Sequence, residues 1–388
     1  MTALCRRLVE NRYRVSVFAV IITLAASAAE AQVLVAGSRG TPESDLNPEQ
    51  EQRLLAEYWT IAKRYGAEPA RATKELGAWT RDRIGKVQSI QFQPENARPD
   101  YLEGKAEWKP ETLRVAAMLH SDLALEQIRQ RNFDDFEFQV GIADGWLALA
   151  DNRASTPGSL RARWNVSVAR LLLASGQPGL AERHIERVAA RIAGDASILL
   201  AHGTIRETQA FLMMADASGS RIDEPAFATK PRDAALTSAA AHLEKALAID
   251  PALVEATLRL AHVQILRRDD VKAEPLLKGI LAGTPTPVIK YLAALMIGGV
   301  QERRKEFEAA AKTYFNAVQT IPNNQTGYVA LAQLMHKLNQ PSDAATVIER
   351  MLLRDAADSV SDPWWKYPLG LDLAIDGKFE EYRAEIRK

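Results

Sequence analysis

The sequence is short of nearly everything that reactive chemistry needs. It has one cysteine, Cys5, which precedes the apolar run of an N-terminal targeting segment. Once that segment is cleaved, no disulfide and no thiol chemistry is available, and the chain must stand on its core alone. The six histidines, at 120, 184, 202, 242, 262 and 336, include no pair at the three- or four-residue spacing that puts two ligands on one helix face. No metal and no cofactor is expected. There is no Gly-x-Ser-x-Gly elbow, no Gly-Lys-Ser/Thr phosphate loop and no Gly-x-Gly-x-x-Gly after a strand. Excess charge of one sign is missing too. The 49 basic and 49 acidic residues cancel, which gives no electrostatic case for nucleic acid. Apolar–polar alternation never persists, so strands are not expected.

What is present begins with export. Arg6, Arg7, Arg12 and Arg14 form a basic start, Val15 to Ala26 is uncharged and apolar, and Ala29-Glu30-Ala31 has the small-residue spacing of a signal-peptidase site. Cleavage before Gln32 is expected. The apolar stretch is about a dozen residues, whereas a span needs roughly 20. The exported chain then carries 45 basic against 47 acidic residues and no apolar run of membrane length. A periplasmic or secreted bacterial protein without a stable membrane span follows.

Residues 32–46 are rich in Gly, Ser, Pro and Asp and read as a flexible leader. The stretch 47–108 reads as a helical N-terminal extension. Asn47-Pro48 opens one helix, Pro69 to Arg83 forms a second, and Gly85 to Trp108 is an irregular connector. From Pro110 onward, helices follow one another with short turns. Asp134-Asp135 and Asp269-Asp270 fall at helix starts, where carboxylates suit the helix dipole.

The strongest signal is self-similarity. Ala239, Leu243, Ala246 and Pro251 recur 34 residues later as Ala273, Leu277, Ile280 and Pro285. They recur again, 37 residues on, as Ala310, Tyr314, Ala317 and Pro322. Ala344, Ile348 and Met351 carry the pattern without the proline, and Ala181, Ile185 and Val188 carry it upstream. Alanine at a helix crossing permits close approach, the larger residue one turn on fills the space beside it, and proline ends the helix.

This small–large–small–proline unit of about 34 residues, with Leu260-Ala261, Leu331-Ala332 and Tyr328 in the preceding helices, resembles the tetratricopeptide repeat. The resemblance implies an all-α solenoid of antiparallel helix pairs over 109–356, with an insertion at 216–232. The segment 357–388, opening on Asp362-Pro363-Trp364-Trp365, is expected to cap it. It also implies a groove lined by the first helix of each pair, where Arg259, His262, Met296, Gln333 and His336 would face a protein or peptide partner. Gly176, Gly179, Gly298 and Gly299 are expected in turns. The expected function is a non-enzymatic scaffold. Two alternatives stay open. One is a small envelope enzyme or accessory subunit with its activity in 32–108, although that stretch holds neither histidine nor cysteine. The other is a self-associating module in which helix 47–66, with Trp59, packs on a neighbour.

Overall fold

The computed structural model describes residues 57, 60–62, 64–65, 67–87, 110–153, 160–219, 225–353 and 362–367. The leader cleavage site, the leader 32–46, most of helix 47–66, the connector beyond Val87 and the final helices after Tyr367 lie outside them. All regular structure among the described residues is helical. No helix among them is long and apolar enough to cross a membrane.

The chain divides into two compact units. In the first, α1 (Pro69–Val87) packs on α2 (Pro110–Arg129), and α2 pairs with α3 (Phe133–Arg153). Helix α1 runs through Gly85 to Val87, a few residues past the expected end at Arg83. Ala72, Leu76 and Trp79 turn inward as their spacing requires, and the Trp79 indole donates to Glu57 at 2.8 Å. His120 is buried in α2, where its Nδ1 donates to Gln139 Oε1 at 2.6 Å. Burial holds this imidazole neutral and pulls its pKa down to about 4, against the raising effect of the Gln139 bond. Asp144 of α3 takes a two-pronged ion pair from Arg161 at 2.8 and 2.7 Å.

The second unit holds most of α4 (Leu160–Ala174) and then α5 (Pro178–Arg191), α6 (Ala196–Gly219), α7 (Pro225–Ile249), α8 (Val254–Leu266), α9 (Asp270–Ala282), α10 (Pro287–Arg303), α11 (Phe307–Thr320), α12 (Gln325–Lys337), α13 (Pro341–Leu352) and the single turn α14 (Pro363–Lys366). Helices α6/α7, α8/α9, α10/α11 and α12/α13 form antiparallel pairs, and each second helix also packs on the first helix of the next pair. First helices touch one another in turn: α6 with α8, α8 with α10, α10 with α12. This is the α-solenoid that the sequence period implies.

The recurring residues sit where the period places them. Ala239, Leu243, Ala246, Ala273, Leu277, Ala310 and Ala317 are fully buried, and Ile280 and Tyr314 nearly so. A fully buried Leu contributes roughly 1.5–3 kcal/mol, and three such triads fix the register of three helix pairs. Ala344, Ile348 and Met351 are only half-buried, and of α13 only Val347 is fully inside.

The period is also written in the backbone. Arg131, Arg268, Lys305 and Asn339 have φ of 57, 65, 62 and 59°, and the last three stand 37 and 34 residues apart. Each follows a first helix. At Arg268 the amides close a Schellman pattern, with Arg268 N bonded to Ile265 O at 3.0 Å and Asp269 N to Gln264 O at 2.9 Å. Asp269 then caps α9 by accepting from Lys272 N, the role expected of it.

Two expectations are corrected. The helices expected at 196–214 and 233–249, on either side of the insertion, are longer: α6 runs to Gly219 and α7 begins at Pro225. Pro225 suits a first position, and Pro231 is carried inside the helix, where it removes one N–H from the ladder. Gly179, Gly298 and Gly299 lie inside helices, not turns. Gly298 is there for space. A Cβ at that position would run into the Tyr314 ring, so α10 and α11 can approach only across a bare backbone. Gly203 does the same for Leu243, whose Cγ would sit 2.7 Å from an added Cβ.

Candidate functional site

The first-helix face of the second unit is built around a buried ionic chain. Glu207 of α6 is fully buried, and it accepts from Arg259 Nη1 at 2.8 Å and from His262 Nδ1 at 2.5 Å, both on α8. Arg259, 2% exposed, also donates through Nε to Glu255 at 3.2 Å. Glu255 in turn meets Arg170 of α4 at 3.4 Å. Charges therefore alternate from Arg170 to Glu255, Arg259 and Glu207. Burial pulls the Arg259 pKa down, but the charge of Glu207, with Tyr367 and Glu255 behind it, more than offsets this and keeps the guanidinium above its ordinary value.

Segment 362–367 lies over this chain. The Tyr367 ring stacks on the Arg259 guanidinium at 4.5 Å and meets the His262 ring edge-on at 5.7 Å. Its hydroxyl is buried and has no hydrogen-bond partner among the described residues. Burial pushes this phenol far above its ordinary pKa. At the other end, Asp362, 1% exposed, accepts from Thr326 N at 2.9 Å, from Tyr291 OH at 3.2 Å and from Trp364 N at 3.0 Å. Asn324, the residue at the N-cap of α12, makes no side-chain cap bond. Asp362 and Tyr291 take over that duty, the latter accepting from Gly327 N at 3.2 Å. Burial, then the Asp362 charge, hold the Tyr291 hydroxyl protonated. Six residues thus bridge α12, α10 and α8.

A second polar cluster joins α5, α6 and α7. Glu182, Glu186 and His202 bring three ligand-type atoms within 4.8 Å of one another. Arg206 already spans both carboxylates, bonding Glu182 closely and approaching Glu186 at 3.6 Å, so the negative charge is offset within the cluster. The His202 ring stacks on His242 at 3.9 Å. Burial, then repulsion from His242 and Arg206, lowers its pKa to about 4. The two carboxylates and the two histidines come from three helices, so a scan for same-helix histidine pairs could not find the cluster. Elsewhere, an open cleft of about 690 Å³ between α9, α10 and α11 presents Lys290 as its one ionisable lining residue.

Residues 233–296 match the tetratricopeptide repeat family model. Residues 233–296 carry tetratricopeptide repeats. That stretch covers α8, α9 and most of α7 and α10. No curated protein sequence matches the chain. Among solved structures, MamA residues 41-end from Desulfovibrio magneticus RS-1 shares 18% identity over 51% of this chain and 98% of its own, with a TM-score of 0.38. The human IFIT1 dimer with m7Gppp-AAAA shares 17% over 80% of this chain and 74% of its own, with a TM-score of 0.39.

The tetratricopeptide fold suggests a protein–protein interaction scaffold. Its five expected groove residues divide. Arg259, His262 and Met296 are 2, 6 and 3% exposed, so they are not open lining. Arg259 and His262 are closed off by Glu207 and Tyr367, and Met296 belongs to the apolar core of α10. Gln333 and His336 of α12 are exposed. The periodic positions alone could not reveal Glu207, 52 residues before its arginine, or Tyr367, 108 residues after it.

Proposed function

We propose that this chain is an exported, non-enzymatic tetratricopeptide scaffold that binds a protein or peptide partner along its first-helix face and supports an envelope complex. The observation that carries the reading is that this face holds an acidic–aromatic segment of polypeptide, Asp362 to Tyr367, in a seat formed by α8, α10 and α12. A surface that already seats one short peptide with a buried carboxylate and a buried ring has the chemistry to seat another. The balanced charge supports protein rather than nucleic acid as partner. The basic, apolar and small-residue order of residues 1–31 supports export.

In-cell photo-crosslinking tests the binding reading. A photo-reactive residue at Gln333 or His336, both exposed on a first helix, should trap a defined partner band, and one at exposed Arg350 on second helix α13 should not. Equal yields from all three positions, or none, would contradict it. Export is checked separately by N-terminal sequencing, with Gln32 as the expected first residue and Met1 as the contradictory one.

A further inference from the structure

Asp362–Tyr367 is anchored on the first-helix face by its buried Asp362, Pro363 and Tyr367, the Tyr367 ring joining the apolar cluster of α8, α10 and α12. Its two anchors lie at opposite ends, and Trp364, Trp365 and Lys366 between them are half-buried or exposed. The carboxylate anchor is complete, with three donors on Asp362. The aromatic anchor is not. The Tyr367 ring is well placed over Arg259, but its buried hydroxyl has no hydrogen-bond partner among the described residues. A buried donor without a partner weakens its own seat, so this occupant is held less tightly than its site permits.

We infer that segment 362–367 is a built-in ligand of the first-helix face, and that the seat beneath it takes partner segments of the same chemistry: a carboxylate followed, five residues on, by an aromatic ring. The inference rests on the protein-binding reading above and names its ligand class. The carboxylate seat is the Thr326 amide with the Tyr291 hydroxyl, at the N-terminal end of the thirteen-residue helix α12. The ring seat is the Arg259 guanidinium, fixed flat by Glu207 and Glu255, with the His262 edge beside it. A partner must displace the resident segment, and the unpaired Tyr367 hydroxyl makes that exchange feasible. Phenylalanine suits the ring seat better than tyrosine, because it brings no hydroxyl to desolvate.

The test uses the full chain and a fluorescein-labelled Asp-Pro-Trp-Trp-Lys-Tyr peptide, followed by anisotropy. The double variant Asp362→Ala/Tyr367→Ala, with the seat vacated, should bind the peptide at least roughly tenfold more tightly than the wild type, which must first release its own segment. The same peptide ending in Phe should bind roughly tenfold more tightly again. Equal affinity for both proteins, no binding to either, or a preference for Tyr over Phe overturns the inference. Should the double variant fail to fold, the wild type still decides. Cleavage by trypsin after Lys366 requires Tyr367 to leave its seat. A saturating unlabelled Asp-Pro-Trp-Trp-Gln-Phe peptide, which has no tryptic site, should speed that cleavage roughly tenfold or more, and an unchanged rate overturns the inference. A wild-type dimer that the double variant loses would put a second copy's segment in the seat and overturn the partner assignment. Partner crosslinks at Gln333 that persist while every peptide fails would leave the scaffold reading standing and remove only this one.

Discussion

Glu207 is the most informative single position. Its carboxylate is fully buried and serves two partners, Arg259 at 2.8 Å and His262 at 2.5 Å. Glu207→Ala leaves the 2%-exposed Arg259 guanidinium with Glu255 alone, at 3.2 Å, and removes the acceptor of the His262 ring. Breaking one partner of a buried pair typically costs about 3–5 kcal/mol, because a charge is left in a dry interior without compensation. A native domain is stable by only about 5–15 kcal/mol, so a large part of the margin is at stake. Urea unfolding followed by circular dichroism should show the midpoint fall with little change in slope. The partner substitution sharpens the test. In the double variant Glu207→Leu/Arg259→Met both charges are gone and apolar volume replaces them, so most of the loss should be recovered. A Glu207→Ala cost below about 1 kcal/mol, well short of the buried-pair range, or a double variant as unstable as the sum of the two singles, would refute the buried-pair account.

Three further outcomes are expected. Arg268 and Lys305 sit at φ of 65 and 62°, where a Cβ is strained, so Arg268→Gly and Lys305→Gly should each raise stability by roughly 0.5–1 kcal/mol after the entropy of glycine is set against the relief; a lower melting temperature would contradict this. Gly298→Ala drives a methyl into the Tyr314 ring and should cost about 1–3 kcal/mol, whereas the same change at Gly279, where an added Cβ meets nothing within 4 Å, should not destabilise. Stability should also fall with acid. His120 is neutral when folded, with a pKa lowered to about 4 by burial, while the unfolded chain takes up its proton near 6.5. The unfolded state therefore binds more protons between these values, and folding loses up to about 3 kcal/mol as pH drops from 6.5 to 4. His202 acts in the same direction. Urea midpoints at pH 7 and pH 5 should differ for wild type and differ less for His120→Gln.

The scaffold was legible because it repeats. Ala239, Leu243 and Ala246 and their copies at 273–280 and 310–317 are dictated by helix contact, which is local and periodic, so spacing alone reveals them. The insertion at 216–232 misled because Gly219, Pro225 and Pro231 read as breakers, whereas tertiary packing of α6 on α7 carries helix up to Gly219 and on from Pro225. Gly298 looked like a turn residue because a glycine tolerates a turn and a close contact equally well, and only the position of Tyr314 tells them apart. The site was legible by half. Repeat positions pointed to Arg259 and His262, but they could not say that Glu207 neutralises the arginine from another helix or that Tyr367 covers it. Those contacts join residues 52 and 108 positions away, a separation at which no local pattern operates. Trp364, Trp365 and Tyr367 all suit a covering role by residue type, and the structure separates them: Tyr367 is buried, Trp364 packs against the core, and Trp365 is 42% exposed.

The central claim is that the first-helix face seats Asp362–Tyr367 with the ring on α8. Replacing Tyr367 by a benzoyl-phenylalanine in the full chain, irradiating it and mapping the products by mass spectrometry tests this directly. Crosslinks should concentrate on the α8 stretch from Glu255 to Gln264, which carries Arg259 and His262. Products confined to α13, or none within the chain, would contradict it.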